Sequence, residues 1–219
     1  MSSIEYVDNP IIPRLSFDPS STIRPETIRH HLRRYELAAR YIKIGSSAVD
    51  VCCGVGYGTD LMRQAGAAST VGVDLSEAAI ESAKATYPGN EFVHADANLY
   101  LRARVTSEQG RPDVVTFFEA IEHVPREVGH QILDSVQIGL AKDDGHFFMS
   151  TPSDIRADVN PDHITQWEFA ELEDALSERF NDVNLFGQDW ASGEFVYDEP
   201  EGASFFVAHC SNPKDEIKE

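Results

Sequence analysis

The segment that most restricts how this chain can fold is Asp50-Val-Cys-Cys-Gly54-Val-Gly56-Tyr-Gly58. It closes a short apolar run at 48–53 and opens a helical pattern through Leu61 and Met62. Glycines let the backbone turn tightly and approach a ligand with no Cβ in the way. The helix start behind them leaves N–H groups without intrahelical partners. The spacing is G-x-G-x-G, since Thr59 stands three residues after Gly56, so the G-x-G-x-x-G turn of dinucleotide-binding proteins is not reproduced.

Strand and helix patterns then alternate. Strands are expected at 70–74, 91–94, 113–118 and 146–151, and helices at 76–87 and 126–140, with Ser76 as a cap. Thr165-Gln-Trp-Glu168 reads as a capping box opening a helix to about Glu178. The last two strands, 183–186 and 204–209, have no helix between them and are therefore expected to be antiparallel. This pattern predicts an α/β fold, a Rossmann-like doubly wound sheet, mostly parallel. Such a sheet binds its ligand beyond the C-terminal ends of its strands, here Cys53, Asp74, His94, Glu119 and Thr151. Residues 1–25, with four prolines, read as an irregular arm, and 26–44 as a helix leading into one domain over 26–210, with a flexible tail at 211–219.

Charge narrows the partners. The chain carries 18 Lys and Arg against 37 Asp and Glu, a net charge of −19. A nucleic-acid surface needs concentrated cations to displace counterions, so nucleic acid is an unfavoured partner. No apolar run approaches the roughly 20 residues of a membrane helix, and the N-terminus shows no signal-peptide pattern. Cys52, Cys53 and Cys210 make no disulfide framework and suit a cytoplasmic location.

Two carboxylates stand where a nucleoside would need them. Asp74 ends the second strand, where it can accept both hydroxyls of a ribose, and Asp96 follows the third, within reach of an adenine amino group. With the glycine loop, Val-Gly-Val-Asp74-Leu-Ser, His-Ala-Asp96-Ala and Asp113-Val-Val-Thr-Phe-Phe-Glu119-Ala-Ile-Glu122-His123, the sequence over about residues 29–210 resembles the class I S-adenosylmethionine-dependent methyltransferases. The resemblance implies a seven-stranded sheet with an antiparallel last strand. It implies S-adenosylmethionine as cofactor and S-adenosylhomocysteine as product. Gly54, Gly56 and Gly58 would pack on the methionine and ribose, Asp74 would hold the ribose, and Asp96 and Ala97 would flank the adenine. Phe118 and Glu119 would lie near the methionine end, and Asp50, Leu75 and Tyr35 complete the expected cofactor-binding set. The helix carrying His31, Arg34 and Tyr35 resembles one that lids the cofactor in related enzymes.

Glu119, Glu122 and His123 are spaced i, i+3, i+4, which gathers them on one side of a helical turn, and His163 can return to the same rim. Three readings of this group stand side by side. Glu122 and His123 cap a short helix while Glu119 shapes the pocket. Alternatively, His123 is a general base assisted by Glu122, since an imidazole exchanges protons near neutral pH. In the third reading, Glu119, Glu122, His123 and His163 hold Mg²⁺ or Mn²⁺. The Glu-x-x-Glu-His run is similar to that of ubiquinone-biosynthesis O-methyltransferases and, with the later histidine, to small-RNA 2′-O-methyltransferases. The same run, with Ser-Thr-Pro, Asn-Pro-x-His and Phe186-Gly-Gln188, is similar to methyltransferases encoded among glycan-assembly enzymes. The expected activity is methyl transfer to a hydroxyl, less readily an amine, of a small molecule or sugar, with Trp190 available to stack on the acceptor. The alternatives are a metal-dependent RNA 2′-O-methyltransferase and a non-catalytic cofactor-binding subunit.

Overall fold

The structure, a computed structural model, describes residues 25–141, 143–153 and 162–215. The expected N-terminal arm, up to the helix that begins at Pro25, lies outside these residues, as does 154–161 of the loop before His163. The central strands are β1 (Ser47–Val51), β2 (Ser69–Asp74), β3 (Glu91–His94), β4 (Val114–Phe118) and β5 (His146–Pro152). They run parallel in the order β3-β2-β1-β4-β5. Beyond β5 the sheet continues with β6 (Phe180–Gln188), β7 (Phe195–Val196) and β8 (Phe205–Pro213), in the order β5-β8-β6-β7. β8 is antiparallel to both β5 and β6. Gln188, at the end of β6, therefore reaches the same sheet edge as Phe118 and Pro152.

Helices cover both faces, as buried parallel strands require. Val49, Val51, Val115, Phe117, Phe147 and Met149 point to one side, packing with residues of α4 (Ala97–Arg104), α5 (Arg126–Gly139) and α6 (Phe169–Ser177). Ala48, Val114, Phe118 and Phe148 point to the other, beneath α1 (Pro25–Ala39) and α2 (Tyr57–Gln64). Gly72 of β2 lies under Phe92 and Cys53, which pack with Ile80 and Ala83 of α3 (Glu77–Thr86). The strand order reverses between β1 and β4, which opens a crevice at their C-terminal ends.

Four expectations change. The sheet has eight strands, because the two-residue β7 adds to the edge of β6. A helix missed by the sequence pattern, α4, is capped by Asp96, whose carboxylate accepts from the Leu99 N–H at 3.0 Å. The expected capping box does not form: α6 begins at Phe169, and the Thr165 hydroxyl instead donates to the Val124 carbonyl at 2.6 Å. β8 continues through Ser211–Pro213, so the expected tail begins as strand; 216–219 lie outside the described residues.

At the opposite sheet edge, His146 and His209 form a ring-nitrogen hydrogen bond of 3.1 Å against Tyr41 and Phe148. Burial lowers the His209 pKa to about 4, helped by the neighbouring His146, and also lowers that of His146. The unfolded chain then binds a proton below about pH 6.5 that the native state refuses until about pH 4. The stabilisation is present above pH 6.5 and declines as pH falls through that window. His209→Gln should flatten the fall by up to about 1.4 kcal/mol per pH unit between pH 6.5 and 4. Urea unfolding of both proteins at pH 7, 6 and 5 checks this; parallel curves would contradict it.

Candidate active site at the strand switch point

Asp50 lies fully buried near the end of β1. Its carboxylate accepts three hydroxyls: Tyr35 of α1 at 3.0 Å, Thr59 of α2 at 2.9 Å and Thr116 of β4 at 2.7 Å. Burial nevertheless raises its pKa to about 6, opposed by those three hydrogen bonds. Tyr35 is buried as well, and burial followed by the Asp50 charge pushes its hydroxyl well up. Both residues of the expected cofactor set therefore act from behind the loop, fixing its strand, its helix and the covering helix together.

The loop leaves β1 through Cys52 at φ 57°, and β4 ends in Glu119 at φ 49°, so both strands beside the switch point exit through left-handed residues. Such backbone costs roughly 1–2 kcal/mol for a residue with a Cβ and gathers at functional sites. Burial pushes the Cys52 thiol up to about 12 and that of Cys53 still higher, which disfavours the thiolate at both. Gly54 and Gly56 also have positive φ, but their surroundings differ. A Cβ on Gly56 would meet Phe92 at 2.6 Å and one on Gly58 would meet Tyr35 at 1.9 Å, whereas one on Gly54 would enter open space.

Asp74 closes the loop from β2. One carboxylate oxygen accepts the Gly54 N–H at 2.8 Å and the other the Ser76 N–H at 2.8 Å. Val55, next to Gly54, and Leu75, next to Asp74, are exposed apolar side chains, as is Leu99 in the first turn of α4. Ala97 is buried at the start of α4, and Asp96 caps that helix. Phe118 is buried edge-on to the Tyr35 ring.

Beyond Glu119 the chemistry is ionic. Arg34 of α1 is fully buried, with its Nε donating to the Gln188 side-chain oxygen at 2.8 Å and its guanidinium 4.4 Å from the Phe205 ring centroid. Its Nη1 stands 3.0 Å from Glu119 Oε1, an ion pair by distance. The angle is not that of a hydrogen bond, so neither Nη has a hydrogen-bond partner among the described residues. Glu119 also accepts the Ser150 hydroxyl at 2.8 Å. Arg34 and Gln188 are site residues the sequence reading did not assign. The available signal was a cation at the i+4 position from His30 on the apolar face of α1.

Glu122 and His123 sit in a 3-10 turn, Ile121–His123, directly after β4. Glu122 is fully buried; one oxygen accepts the Thr151 hydroxyl at 3.2 Å and the other, Oε1, has no hydrogen-bond partner among the described residues. Burial, then the Glu119 charge, raises its pKa well above the usual carboxylate range. The backbone carbonyl of Glu122 receives the N–H groups of Ile164 and Thr165, which brings the loop carrying His163 to this rim. His123 Nδ1 is 3.0 Å from the Asp162 carbonyl, which can only accept. Nδ1 therefore carries the proton, and Nε2, 4.0 Å from Glu122 Oε1, presents a lone pair. Ligand atoms of Glu122, His123 and His163 lie within 4.8 Å of one another. Glu119, turned toward Arg34 and Ser150, is not in this group.

A family model described as a methyltransferase domain matches residues 22–187. The chain belongs to that methyltransferase-domain family. Among the relatives it matches is a ubiquinone biosynthesis O-methyltransferase of Methylococcus capsulatus, 32 % identical over 135 residues, covering 62 % of this chain and 55 % of the relative. The same-named protein of Marinobacter nauticus is 31 % identical over 137 residues, covering 62 % and 56 %. This chain thus spans little more than half the length of these two relatives. Among solved structures, a SAM-dependent methyltransferase from Archaeoglobus fulgidus superposes with a TM-score of 0.66 at 19 % identity, over 86 % of this chain and 94 % of that one. The N-methyltransferase NodS from Bradyrhizobium japonicum, in complex with S-adenosyl-L-homocysteine, gives 0.65 at 15 % identity over 88 % and 90 %. These two likenesses establish the class I methyltransferase fold, an α/β Rossmann-like sheet whose last long strand is antiparallel.

The loop geometry separates two glycines of this family member by stability alone. Gly58→Ala should cost about 3 kcal/mol or more, because its Cβ would overlap the Tyr35 ring. Gly54→Ala should cost only about 1–2 kcal/mol from its left-handed backbone. Urea denaturation of the two variants decides; equal losses would contradict the assignment.

Proposed function

We propose that the protein binds S-adenosylmethionine at the glycine loop and transfers its methyl group to a hydroxyl of a small molecule or sugar. The observation that carries this reading is the open space beside Gly54, next to Asp74 and to the exposed Val55 and Leu75. An apolar rim and an accepting carboxylate suit an adenosine, with Asp74 on the ribose hydroxyls and Asp96 and Ala97 toward the base. Arg34 supplies a second fit. A fully buried guanidinium with both Nη groups lacking hydrogen bonds suits a carboxylate, which its fork accepts in bidentate fashion. We assign it to the methionine carboxylate.

S-adenosylmethionine supplies an electrophilic methyl on a sulfonium; the chain aligns the acceptor and keeps water out. His123 Nε2 is set by the Asp162 carbonyl to take the hydroxyl proton. The buried Glu122 stands beside it, 4.0 Å away, with an oxygen that can accept a hydrogen bond from the imidazolium that forms. Trp190 follows Gln188 at the same sheet edge, packed on His30 and Phe205 but 37 % exposed, and offers a face for an acceptor ring. The O-methyltransferase names of the relatives favour oxygen as the acceptor atom.

A second reading gives the same rim to a divalent cation, which Glu122, His123 and His163 would hold. The unpartnered, fully buried Glu122 Oε1 favours it. The oxygen and nitrogen donors fit Mg²⁺ or Mn²⁺. When bound, a cation lowers the pKa of the acceptor hydroxyl.

Calorimetry with S-adenosylhomocysteine tests the cofactor assignment. Wild type should bind, and Asp74→Ala should weaken binding about 100-fold, while Gly54→Ala, though folded, should bind markedly less. An unchanged affinity in Asp74→Ala would refute the ribose role. In a methyl-transfer assay with a panel of glycosides and catechols, His123→Asn should lower turnover at least about 100-fold under general-base catalysis. Turnover retained in EDTA selects the general base; loss in EDTA with recovery on adding Mn²⁺ selects the cation.

A further inference from the structure

We propose that Gln188 is a positioning residue for the cofactor site: it aims the Arg34 guanidinium at the methionine carboxylate. The inference rests on the carboxylate assignment of Arg34 made above. It also gives a physical role to Phe186-Gly-Gln188, a motif that the adenosine-binding residues leave unexplained.

Gln188 is fully buried at the last position of β6, on the rim where β4 and β5 also end. Its amide nitrogen donates to the Gly193 carbonyl at 3.0 Å and to the His30 carbonyl at 3.4 Å. Both partners can only accept, so the nitrogen must face them and the oxygen must face Arg34. That oxygen takes the Arg34 Nε–H at 2.8 Å. The guanidinium carbon meanwhile lies over the Phe205 ring, 4.4 Å from its centroid.

A guanidinium is a rigid planar fork. With Nε held by Gln188 and the guanidinium carbon over Phe205, rotation of the fork is restricted at both points. The two Nη groups are the donors left without hydrogen bonds among the described residues. Glu119 approaches only Nη1, at 3.0 Å and off the hydrogen-bonding angle. It neutralises the charge without occupying the fork.

Gln188 is held in turn by the turn that follows it. Gly193 N–H donates to the Asp189 carbonyl at 2.9 Å, and Ser192 donates twice to the Asp189 side chain, both at 2.8 Å. Arg33 pairs with Glu194 at 2.7 Å, and His30 Nε2 donates to the Trp190 carbonyl at 2.8 Å. The acceptor-side turn and α1 thus share one amide, and the cofactor's carboxylate end is the place where they meet.

The experiment compares two ligands by calorimetry: S-adenosylhomocysteine, which carries the carboxylate, and 5′-methylthioadenosine, which lacks the amino-acid portion. Gln188→Leu should weaken S-adenosylhomocysteine about tenfold or more, the scale of a lost hydrogen bond to a charged group. Affinity for 5′-methylthioadenosine should change less than about threefold. Combined with Arg34→Met, Gln188→Leu should add no further loss, because both act through one group. If Gln188→Leu does not fold, Gln188→Glu decides. It keeps the accepting oxygen but adds a negative charge beside the fork, so it should weaken S-adenosylhomocysteine selectively.

Equal weakening of both ligands, additive losses in the double variant, or no change in Gln188→Leu would overturn the proposal. An Arg34→Met variant that fails to discriminate between the ligands would overturn the carboxylate assignment itself. If Arg34→Met discriminates and Gln188→Leu does not, only the positioning role of Gln188 falls.

Discussion

Taking a carboxylate out of water costs several kcal/mol unless donors replace its hydration. Asp50 recovers that loss from three hydroxyls that belong to α1, α2 and β4. Each donor is useful only where its element meets β1, so the requirement fixes three elements around one point. That point lies under the crevice where the strand order turns from β1 to β4. The glycine loop, the covering helix and the rim of β4 take their relative positions from it. A pKa pushed up to about 6 indicates that the compensation is incomplete. Between about pH 4 and 6 the native state keeps a proton that the unfolded chain has lost, so ionising Asp50 costs native stability as pH rises. The lowered histidines His209 and His146 act in the opposite direction.

The site divides into three regions by physical character. Around Gly54, Asp74 and Leu75 it is open, apolar-edged and supplied with an accepting carboxylate. Around Arg34, Glu119 and Gln188 it is buried and ionic, and the unspent hydrogen-bonding capacity is on the cation. Around Glu122, His123 and His163 it is a rim of oxygen and nitrogen donors, one of them a buried carboxylate oxygen with no hydrogen bond. A nucleoside, an amino-acid carboxylate and an acceptor hydroxyl would meet these regions in turn.

Much of this was legible in the sequence because it is local. Apolar strands buried on both faces, a glycine turn and Ser76 as a cap are each specified within a few residues, and the structure has them in place. The helix after β3 escaped notice because its apolar stripe is weak and Asp96 was read only as a ligand group. Thr165 does not cap because its hydroxyl has a better-placed partner in Val124, 41 positions away, which no local pattern encodes. Tyr35 looked like a residue facing a ligand; its role as a donor to Asp50 depends on contacts between distant segments. The pairing of Arg34 with Gln188 spans 154 positions, so spacing alone could not reveal it.

Amide hydrogen exchange with and without S-adenosylhomocysteine tests the central claim most directly, because it reads where the ligand acts rather than only whether it binds. Binding at the switch point predicts slower exchange at 53–59 and 74–77, extending to 30–35 on α1, with the β8 amides of 207–213 unchanged. Protection confined to other segments, or none at saturating ligand, would contradict the account.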